Sequence, residues 1–178
     1  KRIKYAIFMP NWIGDVIISL PFLKQLQDSV DSKYVLIIGQ SWVFEILSCS
    51  SLKISNKIIY KRKTYKSFKG FYNLSKDLRK FECEIGILLA ESFSSALFLT
   101  VGRINKKIGY KTQGRSLFLS RPLTKDLMKH RLGQFLDILK FMKFAVDFSM
   151  LPNQVMGQIP VSSKKNKKLK IIGIHIHS

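Results

Sequence analysis

The feature that most constrains this chain is a repeated exchange between two hydrophobic patterns. Runs of strand length with almost no polar interruption, Ile3 to Met9, Tyr34 to Gly39, Lys57 to Tyr60, Glu84 to Ala90 and Lys107 to Tyr110, alternate with stretches whose apolar residues recur every three to four positions. The second kind includes Val16, Ile17, Leu20, Leu23 and Leu26, the short segment Trp42 to Leu47, the stripe Phe68, Phe71, Leu74, Leu78 and Phe81, the segment Ser92 to Val101, and Leu132, Phe135, Leu136, Leu139 and Met142. A strand that is apolar on both sides has both faces covered, which is the condition of a parallel sheet between helical layers. The pattern predicts a doubly wound α/β domain with a parallel, Rossmann-like sheet and right-handed crossovers. Pro21 falls inside the first helical stretch and predicts a kink or break there.

The domain is expected over residues 1–150. Beyond it, Pro152, Pro160 and the run Ser162 to Lys170 read as a basic linker over 151–170. The strand-like Lys170 to Ile176 follows, and residues 171–178 are expected to begin a second domain absent from the chain. The alternative is a strand returning to the first sheet. With 178 residues and 46% hydrophobic content, the chain is long enough for one substantial core. The opening KRIKYAIFMPNWIGD imitates a signal peptide, but Pro10, Asn11 and Asp15 break its apolar run and no small-residue cleavage site follows. The longest apolar stretch, Ile85 to Val101, carries Glu91 near its centre, too costly for a spanning helix when nothing pairs it. Cys49 and Cys83 lack a CxxC spacing and read as reduced core residues of a cytoplasmic protein.

Charge narrows the partners without choosing one. Thirty-one Lys and Arg against 11 Asp and Glu give a net charge of +20, which favours anions at the surface, whether nucleic acid, anionic lipid or phosphorylated sugar. A Lys-rich soluble surface explains much of the same excess. No RNP, KH or zinc-finger pattern supports specific nucleic-acid recognition. His175 and His177 alternate along the last segment, but two ligands make no metal site, and none is expected.

Candidate chemistry falls in the loops that follow strands, because ligands of doubly wound sheets bind beyond the carboxyl ends. Pro10-Asn11-Trp12-Ile13-Gly14-Asp15 follows the first strand, and Gly14 lets backbone approach a ligand. Asp15, read alone, is a first-turn carboxylate favoured by the helix dipole. Neither GxGxxG nor GxxxxGK[ST] is present, so no phosphate-cradling loop is indicated there. Lys61, Arg62, Lys63 and Lys66 follow the third strand; Lys111, Arg115 and Arg121 line the loop Lys111 to Pro122. Each reads either as a solvated charge or as part of a cationic rim, with Arg62 and Arg115 favoured because a guanidinium grips carboxylate or phosphate bidentately. Ser92, Ser94 and Ser95 either cap a helix or offer hydroxyls at its amino terminus. His130 reads as a surface or capping residue, and Trp12 as a stacking or packing residue.

The segment PNWIGDVIISLPFLKQL, Pro10 to Leu26, resembles the opening motif of lipopolysaccharide heptosyltransferases, especially the heptosyltransferase II branch of glycosyltransferase family 9. Leu88 to Leu123 is similar to that family's Ser-Phe-x-Ser-Ala helix, Ile-Gly-Tyr strand and Gly-Arg loop, and His130 to Met142 to the helix after it. The resemblance implies the amino-terminal half of a GT-B enzyme, with the acceptor held on this side and ADP-heptose on the missing half. It implies Asp15 as general base, inversion at the transferred sugar, no cofactor and no obligatory metal. The acceptor that the resemblance implies is the lipid A–core oligosaccharide. The acceptor-binding set expected is Asn11, Trp12, Gly14, Arg62, Lys63, Ser92, Ser94, Arg115 and Arg121. A cytoplasmic protein in peripheral contact with an anionic inner membrane follows from the same reading. The chain departs from the family at Ala90-Glu91, where Pro-Asn is usual, and at His175 to Ser178, which lack the Pro-Gly-Ala type loop. The alternative is an inactive family fragment that binds anions or a membrane surface.

Overall fold

The computed structural model describes residues 2–157, apart from 62, 64, 66 and 113. The terminal segment expected at 171–178, with His175 and His177, lies outside the described residues, as does the linker beyond 157. Six strands form one all-parallel sheet: β1 (Tyr5–Phe8), β2 (Val35–Gln40), β3 (Asn56–Tyr60), β4 (Ile85–Leu88), β5 (Lys106–Tyr110) and β6 (Arg121–Leu123). Their spatial order is β3-β2-β1-β4-β5-β6, so the chain reverses its direction of travel between β1 and β4.

Alternate residues of β1, β2 and β4 serve two separate cores, with β3 adding to one and β5 to the other. Tyr5, Ile7, Val35, Ile37, Ile87 and Ile108 pack with α1 (Ile13–Ile18), α2 (Leu20–Ser29), α3 (Ser41–Ser48) and α6 (Arg131–Phe141). Ala6, Phe8, Leu36, Ile38, Ile58 and Leu88 pack against α4 (Phe68–Arg79) and α5 (Phe93–Val101). This second layer is strongly aromatic: Phe98 meets Phe8, Tyr65 and Phe71 at ring-centroid distances of 5.7, 5.6 and 5.5 Å.

The break expected near Pro21 is present, two residues upstream. Ser19 closes α1 with its hydroxyl donating to the Val16 carbonyl at 2.7 Å, and a new helix begins at Leu20. Pro21 then occupies the second helical position, where the missing N–H would have had no partner in any case.

Two features depart from expectation. β6 was hidden in what reads as a loop. It has three residues and contains Pro122, tolerated because β6 is an edge strand. Residues 151–157, expected to open the linker, are packed onto the domain: Val155 is 1% exposed, Met156 bridges Ser50, and the Gly157 N–H donates to the Cys49 carbonyl at 2.8 Å. Cys49 and Cys83 are free thiols, and burial pushes the Cys83 thiol up to about 12. No helix among the described residues is long and apolar enough to cross a membrane.

Phe98 touches three of the rings that close the second core, so Phe98→Ala should lower unfolding free energy by about 3–5 kcal/mol. Urea denaturation followed by circular dichroism measures it; a loss below about 1 kcal/mol would show that the aromatic layer is not close-packed.

Candidate functional site

The carboxyl edge of the sheet opens at the point between β1 and β4 where crossovers diverge, the place where doubly wound folds hold ligands. A cleft of about 970 Å³ lies there. Asn11 and Trp12 after β1, Gln40 after β2, Tyr60 at the end of β3 and Ser92 after β4 contribute to it, with Phe68 and Tyr72 from α4. Asn11 ties the loops together. Its Oδ1 accepts from the Tyr60 hydroxyl at 3.0 Å and from Gln40 Nε2 at 3.3 Å. Burial raises the Tyr60 phenol well above its ordinary range, so it remains a donor to Asn11. Trp12 is 77% exposed, with its ring on the cleft rather than in the core.

Ser92 acts as the amino-terminal cap of α5, accepting from the Ser95 N–H at 3.3 Å, and Ser94 Oγ donates to Ser92 Oγ at 3.3 Å. Both serines line the cleft while also completing the helix end. Gly14 is exposed, and a Cβ built there would meet nothing within 4 Å, leaving the backbone open to approach.

Asp15 does not line this cleft; it stands in the first turn of α1, beside a cluster of charges. Its Oδ1 lies 3.6 Å from Arg131 Nε, and its side chain retains 30% exposure. Arg131, the first residue of α6, is the hub. It also donates from Nη1 to Glu91 Oε1 and, at 3.2 Å, to Gln134 Oε1, while its guanidinium carbon lies 4.6 Å from the Phe135 ring centroid. Lys125 Nζ reaches the same Glu91 oxygen at 3.0 Å. Burial would raise the Glu91 carboxyl, but hydrogen bonds from Arg131 and Lys125 outweigh it and hold the group below its ordinary 4.5. Glu91, Arg131 and Lys125 were not among the site residues the sequence suggested. The signal was available in Glu91 itself: a carboxylate within an apolar run requires a cation when the chain folds. His130 caps α6 by accepting from the Leu132 N–H at 3.3 Å.

Arg115 requires a correction. Expected on the cationic rim, it is 0% exposed. Its Nε donates to the Tyr110 carbonyl at 2.9 Å and its Nη1 to the Ala90 carbonyl, so the guanidinium joins the carboxyl ends of β4 and β5 inside the fold. Desolvation lowers it to about 10. Gly109 makes the room: a Cβ there would stand 3.0 Å from Leu88 Cβ and 3.3 Å from Arg115 Nη2. Gly114, at φ +71°, supplies the left-handed residue that starts the turn carrying Arg115. Lys63 and Arg121 are exposed, as a rim requires, with Arg121 at the start of the edge strand β6. Arg62 lies outside the described residues. Among those described, no three His, Cys, Asp or Glu side chains group closely enough to hold a metal ion.

A family model for glycosyltransferase family 9 (heptosyltransferase) matches residues 71–171. The chain belongs to this family. Similar solved structures agree on the fold. Escherichia coli ADP-heptose lipopolysaccharide heptosyltransferase II is 18% identical, with a TM-score of 0.65, over 90% of this chain and 47% of its own. A family 9 glycosyl transferase from Veillonella parvula DSM 2008 is 15% identical, with a TM-score of 0.70, over 83% and 43%. E. coli heptosyltransferase WaaC with ADP is 16% identical, with a TM-score of 0.66, over 83% and 51%. The chain therefore spans about half the length of the structures it matches. No curated protein sequence matches it.

The Glu91 cluster has a pH signature. Its folded pKa lies below 4.5, so folding favours the ionised form: the stabilisation is complete above 4.5 and is lost as pH falls through the folded value. Glu91→Gln should therefore flatten the loss of stability between about pH 6 and about pH 3. Urea midpoints across that range test it; parallel curves for both proteins would show that the network contributes nothing.

Proposed function

We propose that this chain is the acceptor-side half of an inverting heptosyltransferase, which moves heptose from ADP-heptose to the inner core of lipopolysaccharide. The observation that carries the reading is the position of Asp15: a partly exposed carboxylate just past the carboxyl end of the central strand, on the same loop-to-helix segment as Asn11 and Trp12, which line the open cleft. Family membership supplies the reaction class, and the matched WaaC structure holds ADP.

In this reading the acceptor oligosaccharide enters along Trp12, Asn11, Ser92 and Ser94, with Lys63 and Arg121 as exposed cations for its phosphates and carboxylates. A sugar hydroxyl is a weak nucleophile until its proton is taken as the new bond forms. Asp15 takes that proton. The acceptor oxygen bonds the anomeric carbon of heptose from the face opposite ADP, the bond to the diphosphate breaks, and ADP leaves with the electron pair. Arg131 holds Asp15 in place without claiming it, because its other donors serve Glu91 and Gln134. A cytoplasmic site in peripheral contact with an anionic membrane belongs to the same reading, since the acceptor is anchored in lipid.

Asp15→Asn decides the central role. Joined to a nucleotide-sugar-binding half, the variant should transfer heptose about 10²–10⁴-fold more slowly. Loss of the weak pair with Arg131 should cost about 1 kcal/mol or less of stability. Transfer rates with ADP-heptose and purified acceptor give the first number, and urea unfolding the second. A folded Asp15→Asn protein at nearly full rate would reduce Asp15 to a helix-start carboxylate.

A further inference from the structure

Arg131 reaches its two carboxylates unequally, and the surrounding contacts hold that inequality in place. Its Nη1 donates to Glu91 Oε1 in a close ion pair, whereas its Nε stays 3.6 Å from Asp15 Oδ1, beyond hydrogen-bond range. A guanidinium is a rigid plane, so fixing one edge sets the other. Gln134 Oε1 accepts from the same Nη1 at 3.2 Å, the Leu89 carbonyl accepts from Nη2 at 3.5 Å, and the guanidinium carbon lies over the Phe135 ring at 4.6 Å. Glu91 is tied down in turn. Lys125 Nζ donates to its carboxylate at 3.0 Å, Thr112 Oγ1 donates to its carbonyl at 3.1 Å, and Arg115 donates to the carbonyl of neighbouring Ala90. The other ionisable groups of this region are engaged elsewhere. Arg115 is enclosed, Tyr110 is kept protonated by burial and donates to the Gln134 carbonyl at 2.6 Å, and His130 caps α6. Asp126 accepts from the Met128 N–H at 3.0 Å, and Asp137 is held by Lys129 at 2.6 Å. Asp15 and Glu91 are therefore the two acids that reach Arg131.

We propose that Glu91 is a positioning residue for Asp15: by anchoring Arg131, it keeps the guanidinium from closing on the base. The inference rests on the heptosyltransferase reading for what Asp15 does, and it accounts for how Asp15 stays able to do it. A carboxylate bonded closely to a guanidinium gives up a lone pair and much of its proton affinity. Held at 3.6 Å, Arg131 still attracts and orients Asp15 while leaving its oxygens available to a sugar hydroxyl. The negative charge of Glu91 also favours proton uptake by a carboxylate nearby. Removing that charge acts in one direction by both routes. Arg131 closes on Asp15, and Asp15 becomes a weaker base.

The first test needs no transfer. In the 178-residue chain, NMR follows exchange of the Arg131 Nε–H proton with water near neutral pH. Glu91→Gln keeps the shape and removes the charge, and should slow that exchange about ten-fold as a charge-assisted hydrogen bond to Asp15 closes. Adding Asp15→Ala to Glu91→Gln should restore the original rate. Lys125→Ala disturbs the same network but leaves Glu91 on Arg131, and should change the rate by less than about two-fold, with circular dichroism confirming that each variant folds. The second test uses the chain joined to a nucleotide-sugar-binding half. There Glu91→Gln should lower kcat about ten-fold with KM changed less than about two-fold, and should move the acid limb of the rate profile to lower pH. The direction follows because a guanidinium closed on Asp15 favours its ionised form, so protonation requires more acid. Unchanged Nε–H exchange in Glu91→Gln, or equal slowing from Lys125→Ala, would overturn the proposal. A fall in kcat with the acid limb unmoved would also overturn it, because a merely loosened fold gives that result. An inactive joined wild-type protein would count against the heptosyltransferase reading alone, since the exchange measurement still decides whether Glu91 holds Arg131 off Asp15.

Discussion

In β1, all four side chains are committed to packing. Tyr5 and Ile7 enter one core, Ala6 and Phe8 the other, and none is more than 5% exposed. This follows from the parallel sheet, whose central strands are covered on both faces by helices. The two-sided burial leaves the interior of the strand nothing to offer a ligand. Polar chemistry is displaced to the first residues beyond each carboxyl end, and there it is found: Asn11 after β1, Gln40 at the end of β2, Glu91 and Ser92 after β4. The loops meet because β1 and β4 are neighbours in register, Phe8 opposite Leu88. The site is thus a consequence of how the core is covered.

Arg115 and Arg131 show how one residue type takes opposite roles at the same edge. Arg115 is wholly enclosed and bonds backbone carbonyls, so its charge serves the join between β4 and β5. Arg131 keeps 18% of its side chain exposed and is shared between Glu91 and Asp15, closely with the first and at 3.6 Å with the second. A guanidinium divided in this way neutralises both carboxylates only in part. Removing Glu91 would leave Asp15 as the carboxylate partner of Arg131, with Gln134 still accepting from its Nη1. The unusual Glu91 is therefore electrically coupled to the residue on which the proposed chemistry turns.

The sequence revealed most where burial is two-sided and least where a single contact decides. β1, β2 and β4 were legible because covered strands need unbroken apolar runs, and the α2, α4 and α6 stripes because one-sided burial imposes a helical period. β6 was not, since Arg121-Pro122-Leu123 has neither length nor alternation and is held as a strand through pairing with Ile108 to Tyr110. The helix break was legible in kind through Pro21, though Ser19 fixes its place. Asn11, Trp12, Ser92 and Ser94 line one cleft, because strand-end loops converge by topology. Arg115 was misplaced because an arginine in a Gly-containing turn reads as solvated. Its burial depends on the Ala90 and Tyr110 carbonyls, which local sequence does not display. The Asp15–Arg131–Glu91 cluster joins positions 40 or more residues apart, beyond the reach of any periodicity.

Charge is distributed so that the cleft and its surroundings make different demands on a ligand. The lining of the cleft holds aromatic rings, hydroxyls and amides but no charged side chain among the described residues, despite a chain excess of +20. The nearby cations divide in two. Arg131 and Lys125 are answered by Asp15 and Glu91, whereas Lys61, Lys63 and Lys69 stand exposed on the α4 side. These lysines attract an anion from the α4 side, and exposed Arg121 does so from the edge strand β6. A neutral ring gains from stacking and hydrogen bonds inside the cleft, while a charged group on the same molecule gains most at the exposed rim, where it keeps part of its hydration. The division follows from desolvation, since a cation drawn into that lining would lose hydration with no carboxylate among the described lining residues to replace it.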